Sequence, residues 1–475
     1  MNATIDDGLA DLDPALRAAL VAADHDFAAA RAQLEDLVRI PSISADPAHT
    51  ADVDACAVAV GNLMRDAGLE AVRELRVGDG HPYVVGEWCH APGAPTVLLY
   101  AHHDVQPPGY VERWHTDPFT PHERDGRLFG RGTADDKAGA VAHVAAVRAW
   151  LRTAGALPCN VKVLVEGEEE IGSPGLAPFL TAHAAELQSD VLLLADAGNW
   201  AVGTPGLTYS LRGLCSLDVR VRATDSPLHS GMAGGAVPDP VLALAVMLAS
   251  LVDEHGDPAF DGCWDDYEPP SPEERARIAA LPDDVDGLRR AWGLHDGVAL
   301  AGDPSVSLFE RLWVRPVVTV IGIDGHPIAG SSNQIVSEAA ARVSVRVGRG
   351  QDPLRLDRAL ADHLRARVPF GLEVELTSLE TVPAWHCEPT GWAFDAADRA
   401  LRGGFGVAPV RMGVGGTIPF VGPFAAAFGG IPSLLLGPAD PGSRIHGEDE
   451  SLHLGDWHSL NASEVRLLHE LARPS

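Results

Sequence analysis

The sequence predicts an α/β protein. One domain would hold a mainly parallel sheet flanked by helices, with an α+β domain carrying an antiparallel sheet inserted into it. Three observations predict this. In the first two hundred residues, continuous apolar strands alternate with helical segments, as strands buried on both faces require. After about residue 210 the strands switch to apolar–polar alternation, which suits an antiparallel sheet with one wet face. The chain of 475 residues is too long for one ordinary core, and 46 % apolar residues can fill more than one. From about Pro383 the helix-then-strand style returns, so the first domain is expected at 1–210 and 384–475 and the insert at 211–383.

The elements come in this order. "DPALRAALVAADHDFAAARAQLEDLVRI" (13–40) carries Ala and Leu at helical spacing, and Pro41 stops it. "TVLLY" (96–100) is a buried-strand run after the turn "APGAP". "DKAGAVAHVAAVRAWLRTAGAL" (136–157) is a small-residue helix ending near Gly155. "VKVLVEGEEE" (161–170) and "DVLLLAD" (190–196) are strands that run into acids. In the insert, "LCSLDVRVRAT" (214–224), "RPVVTVIGIDG" (315–325), "ARVSVRVGR" (341–349) and "LEVELTSL" (372–379) read as strands. "DPVLALAVMLASLVDE" (239–254) and "DPLRLDRALADHLRARV" (352–368) read as its two helices. The Pro/Asp/Glu-rich segment 264–285 is expected to be an exposed insertion. The uncharged stretch 420–439 contains Pro423, Gly429, Gly430, Pro432 and Pro438, which suits turns and a short buried strand rather than a membrane helix.

Charge and cysteine usage narrow the partners. Lys and Arg number 36 against 66 Asp and Glu, a net charge of −30, which argues against nucleic acid and anionic membranes. The six cysteines, at 56, 89, 159, 215, 263 and 387, form no C-x-x-C pair, so reduced thiols in the cytoplasm are expected. With Asp6, Asp7, Asp11 and Asp13 near the start and no basic, apolar run there, no secretory peptide is expected.

Ligands of open α/β sheets gather beyond the carboxyl ends of the strands. Here each of those ends carries a metal-type group. "VLLYAHHD" ends in His and Asp, "VLVEGEEE" in four carboxylates and "VLLLAD" in Asp196, while "GRGTADDKAG" (130–139) opens a helix with two acids and "DPGSRIHGEDE" (440–450) adds His446. Singly, each has a plainer reading. Asp135 and Asp136 suit a helix N-cap, Glu168, Glu169 and Glu170 a solvated strand end, Asp196 a cap, and His446 is one of 20 histidines. Together, like charges at one sheet edge repel unless a cation neutralises them. Imidazole mixed with carboxylate suits Zn²⁺, with Mn²⁺ or Co²⁺ as alternatives, and a hydrolytic metal site is expected. Strand alternation puts His102 and Asp104 on one face and His103 on the other. Asp104 would then orient His102 through its second ring nitrogen, with His103 packed away or bonded to backbone.

With these pieces in place, the chain resembles a family of metallopeptidases and deacylases. It includes carnosinase-type dipeptidases, acetylornithine deacetylase, succinyl-diaminopimelate desuccinylase and glutamate carboxypeptidases. The likeness rests on "AHHDVQPP", "W-x-x-x-PF" (114–119), "ERDGRLFGRGTADDKAG", "VEGEEEIGSPGL", "LLLAD", "LHSGMAGG", "RVSVRV", "GVGGTIP" and "RIHGEDE", in the family's order over nearly the whole chain. The dipeptidase branch is most similar. The resemblance implies two zinc ions: His102 and Asp196 on one, Glu170 and His446 on the other, and Asp135 bridging both. It implies Glu169 as general base, Asp104 orienting His102, and a cis peptide at Asp135–Asp136. It further implies a homodimer in which His229 reaches the partner subunit's active site and stabilises the oxyanion. Arg346 would clamp the substrate's carboxylate, with Asn333 and Thr417 as further substrate contacts. Ala101, His103 and Val414 depart from the family pattern, where Gly, an apolar residue and Glu are usual.

The expected activity is hydrolysis of the amide bond of dipeptides or short peptides. The same site would also suit an N-acyl amino acid amidohydrolase acting on acetyl, succinyl or carbamoyl substrates. A non-catalytic binding protein on this scaffold is the alternative of another class. A nucleotide-binding reading is disfavoured, because no strand leads into G-x-G-x-x-G.

Overall fold

The computed structural model describes residues 11–281, 285–418 and 421–473; Asp6 and Asp7 lie outside them. The chain divides into two compact units, one of Met1–Tyr209, Cys387–Met412 and Phe420–Ser475, the other of Ser210–His386 and Gly413–Pro419.

The first unit begins with helix α1 (Pro14–Val38), started by Pro14 and by the Asp13 carboxylate, which accepts the Ala15 N–H at 2.9 Å. Helix α2 (Thr50–Ala67), strand β1 (Glu70–Leu75) and strand β2 (Tyr83–Trp88) have no counterpart in the sequence prediction. The buried face of α2 is built from small residues, among them Cys56, Ala57, Val60 and Gly61, and β1 is largely exposed, so neither gives a strong apolar period. Then come β3 (Thr96–His102), β4 (His122–Arg124), β5 (Arg127–Phe129), α3 (Lys137–Ala154), β6 (Asn160–Glu166), α4 (Leu176–Leu187), β7 (Val191–Leu194) and β8 (Gly206–Leu211), the last carrying the chain into the second unit.

The second unit contains β9 (Gly213–Arg222), α5 (Pro240–Ala249), β10 (Val317–Asp324), β11 (Glu338–Val347), α6 (Pro353–Ala366) and β12 (Glu373–Val382). These four strands pair antiparallel in the order β10-β11-β9-β12. Leu217, Val219, Val221, Val343, Val345 and Val347 face a core closed by α5 and α6, while Asp218 and Arg342 pair at 2.7 Å on the wet face. Short helices at 272–279, 285–291 and 308–313 join the two expected ones. The segment 264–285 is largely exposed, as expected, but it is anchored: Glu274 and Ile278 are buried, and Glu274 pairs with Arg349 at 2.7 Å. Residues 282–284 of that stretch lie outside the described residues.

The chain returns to the first unit with α7 (Trp392–Phe405), β13 (Ser433–Leu435), β14 (Ser451–His453) and α8 (Leu454–Leu471). Before β13, a short helix at Val421–Ala427 occupies part of the stretch expected to be turns. The main sheet is mixed. Its centre, β6-β3-β7-β13, is parallel, and β2 and β8 flank it antiparallel. Val97, Leu98, Leu99, Val163, Leu164 and Leu193 are fully buried, and α3 packs against β3, α1 and α8. Parallel pairing sends β3, β6 and β7 out at one edge of the sheet. His102 lies opposite Glu166 there, and Tyr100 opposite Leu194.

Candidate metal centre

His102 is the last residue of β3 and is fully buried. Its Nδ1 donates to the Asp104 carbonyl at 3.1 Å and lies 3.5 Å from the Asp104 carboxylate. Its Nε2 therefore faces the other way, 3.0 Å from Asp135 Oδ1, 3.9 Å from Asp196 Oδ2 and 4.0 Å from Glu169 Oε2. His446 sits in a turn with φ 62° and presents Nε2 at 3.0 Å to Asp135 Oδ2 and 3.1 Å to Glu170 Oε2. Asp135 thus gives one oxygen to each histidine. The Asp135–Asp136 peptide is cis. Neither acid caps α3: Asp136 occupies the N-cap position without a side-chain cap bond. Its carboxylate instead accepts the His102 N–H at 3.4 Å.

The loop after β6 brings in Glu169 and Glu170, and the Asp104 carboxylate holds that loop by accepting both of their N–H groups, at 3.3 and 3.1 Å. Sequence reasoning misses Gln106. It donates its backbone N–H to Glu170 Oε1 at 3.1 Å and its side-chain amide to Oε2 at 2.9 Å. It lies two residues beyond Asp104, so the alternation that picks out His102 and Asp104 is the signal that could have found it. His103 points away from the centre. It is fully buried, with Nε2 donating to the Pro82 carbonyl at 3.1 Å.

The electrostatics explain why these groups call for a cation. Burial, with Asp196, Glu170 and Asp135 adding to it, pushes the Glu169 carboxyl well up. Burial and then Asp135 do the same to Asp196 and raise Glu170. Burial opposes charge on Asp135 too, but hydrogen bonds from His102 and His446 outweigh it and lower that carboxyl. Burial likewise works against a charged His446, yet Asp135 and Glu170 raise it to about 10. Two overlapping sets, His102 with Asp135 and Glu170, and His102 with Glu169 and Asp196, each hold ligand atoms within 4.8 Å of one another. Four carboxylates that repel one another, gathered this close with two imidazoles, fit a divalent metal ion.

The remaining predicted residues lie in the second unit. Arg346 donates to Thr417 Oγ1 at 2.8 Å, and Thr417 in turn donates to the Arg212 carbonyl at 2.8 Å. His229 is exposed, with Nδ1 accepting the Gly231 N–H at 3.1 Å. Asn333 is exposed and its carbonyl accepts the Ser230 N–H at 2.9 Å, so it sits beside His229.

An acid–imidazole cluster at the carboxyl edge of a parallel sheet defines a metal-dependent hydrolase. Comparison with known proteins agrees. Residues 98–470 match the model of peptidase family M20/M25/M40. The cysteinylglycine-S-conjugate dipeptidase of Corynebacterium striatum is 32 % identical over 438 residues, which span 92 % of this chain and 94 % of that one. A Cys-Gly metallodipeptidase of Schizosaccharomyces pombe is 28 % identical over 461 residues, spanning 93 % and 95 %. Human carnosine dipeptidase 1 shares the fold, with a TM-score of 0.84, 24 % identity and coverage of 97 % of this chain and 99 % of that one. The chain belongs to peptidase family M20/M25/M40 and is a metallopeptidase.

Proposed function

We propose that this chain hydrolyses the amide bond of dipeptides or short peptides. The observation that carries the reading is Asp135, with one carboxylate oxygen 3.0 Å from each of two histidine Nε2 atoms. Similarity to a dipeptidase over nearly the whole chain supports the substrate class. We assign His102 and Asp196 to one zinc ion, Glu170 and His446 to a second, and Asp135 to both, with Mn²⁺ or Co²⁺ as alternatives. When bound, the metal supplies Lewis-acid activation of water and of the amide carbonyl. Glu169 takes the water's proton and delivers it to the leaving amine nitrogen as the amide C–N bond breaks. Asp104 orients His102 and holds the loop that carries Glu169.

Residues 1–210 and 384–475 form the catalytic, metal-binding domain in this reading, and 211–383 the lid and dimerisation domain. Arg346 binds the substrate's carboxylate, with Asn333 and Thr417 as further contacts. The protein works as a homodimer in which His229 serves the partner subunit's active site. Two features support this: His229 is exposed, and the edge strand β10 displays Ile321 and Ile323. All six cysteines are free, which supports action in the cytoplasm.

The test is metal content and turnover of the purified protein. About two metal ions per chain and cleavage of Xaa-Yaa dipeptides are expected. Turnover of N-acetyl, N-succinyl or N-carbamoyl amino acids alone would replace the substrate class. No turnover with zinc, manganese or cobalt would leave a binding protein.

A further inference from the structure

Strands β5 and β14 pair antiparallel, with Phe129 opposite Ser451. The chain leaving β5 toward Asp135 therefore runs beside the chain that enters β14 from His446. Gly130 donates its N–H to the Glu450 carbonyl at 3.0 Å, which fixes that neighbourhood. The Glu450 side chain is fully buried and turns into the loop ahead of Asp135. Its Oε1 accepts the N–H groups of Gly132, Ala134 and Asp135 at 3.1, 2.9 and 3.2 Å. The loop wraps the carboxylate as a backbone nest wraps an anion. Gly132 makes this turn, with φ 83° and the Val105 side chain only 2.6 Å from where a Cβ would stand. On the other side, Glu450 Oε2 accepts from Arg131 Nη1 at 2.6 Å. Arg131, also buried, spends its second nitrogen on two carbonyls, Gly447 at 3.1 Å and Pro107 at 3.3 Å. One ion pair thus ties together three segments: the one after His102, the one before Asp135 and the one after His446.

We infer that Glu450 is a positioning residue of the metal centre. It fixes the main chain of Asp135 against the turn that presents His446, and so sets the affinity for metal. The inference rests on the metal-dependent function proposed for the chain. An ion pair kept only for packing needs its partner and nothing more. This carboxylate also satisfies three amides of one loop, including that of the residue whose two oxygens face the two histidines. Outer residues that hold ligands typically change metal affinity about 10–100-fold when replaced.

The experiment is chelator competition on the zinc-loaded, full-length protein, with the visible spectrum of the cobalt-substituted protein as a second readout. Glu450→Ala is expected to raise the zinc dissociation constant about 10–100-fold and to change the cobalt spectrum. Glu450→Gln keeps the shape and one acceptor oxygen, so it is expected to lose less; it also carries the test if the alanine variant does not fold. Leu34→Ala, a fully buried core change on α1, controls for lost stability and is expected to keep wild-type affinity. The inference is overturned if Glu450→Ala, or Glu450→Gln in its place, binds zinc as tightly as wild type. It is also overturned if Leu34→Ala loses as much affinity. Wild type that takes up no metal would instead overturn the reading of the centre, and this inference with it.

Discussion

Asp135 sits between two histidines, and the acids around it would not gather without reason. Two like charges about 5 Å apart repel by about 3 kcal/mol at an effective dielectric of about 20. Several such pairs meet here, and after burial, the larger cause, they help push the Glu169 and Asp196 carboxyls well up. Glu169 differs from its neighbours in its proposed task, since it moves a proton rather than holding a metal. Glu169→Gln keeps shape and removes the base. It is expected to lower kcat by about 10²- to 10⁴-fold while metal content stays at the wild-type level. Retained turnover, or metal lost in step with activity, would assign the residue a different role. That His102 and His103 face opposite ways was legible in the sequence, because strand alternation separates their faces. Gln106 lies on the same alternation but its amide is not a metal-type group, and Glu450 was not legible because it joins segments more than three hundred residues apart in sequence.

At the scale of elements, α3 and α8 are joined through a buried pair. His143 Nδ1 lies 2.8 Å from Glu464 Oε2, and its Nε2 donates to the Tyr100 carbonyl at 3.0 Å. Burial works against charge on His143, but Glu464 outweighs it and raises the imidazolium's pKa. A histidine whose folded pKa is raised stabilises fully below its unfolded value of about 6.5. That stabilisation declines as pH rises and is gone above the folded pKa. Replacing His143 with Gln is expected to cost about 3 kcal/mol near pH 6 and progressively less toward pH 9, read from the Tm of both proteins. A gap that stays constant across that range would show His143 to be neutral throughout. The long apolar elements, α1, β3, α3, β6 and β7, were legible because their periods are strong. The helix α2 and strand β1 were not, because small residues and exposure blunt the pattern. The polar 272–279 helix is hidden from sequence reading because a buried ion pair carries the same composition as a solvated loop.

At the scale of the molecule, two features bear on assembly. The net charge of −30 favours solubility, and among the described residues no helix is long and apolar enough to cross a membrane. The edge strand β10 leaves Ile321 and Ile323 more than half exposed, a surface that strands of this kind rarely leave bare. Light scattering of wild type is expected to give a dimer, and Ile321→Lys with Ile323→Lys a monomer with reduced turnover. A wild-type monomer with full activity would remove both the dimer and the trans role of His229. The change in strand style places domain boundaries near 210 and 384; the two compact units also put Gly413–Pro419 with the second, which no change of style announces. The mixed character of the main sheet was not legible, because its antiparallel flanks β2 and β8 are not among the strands that the sequence pattern picks out. The late return of β13 has a consequence for synthesis. Strand β13 takes its place between β7 and β8, yet more than two hundred residues separate it from either. A ribosome adding about 5–20 residues per second needs roughly ten seconds or more to make that stretch. Through that interval the nascent sheet stands open at its middle, beside β7, and His446 has not yet been made. The middle of the sheet and the metal centre are therefore both completed in the last stretch of synthesis.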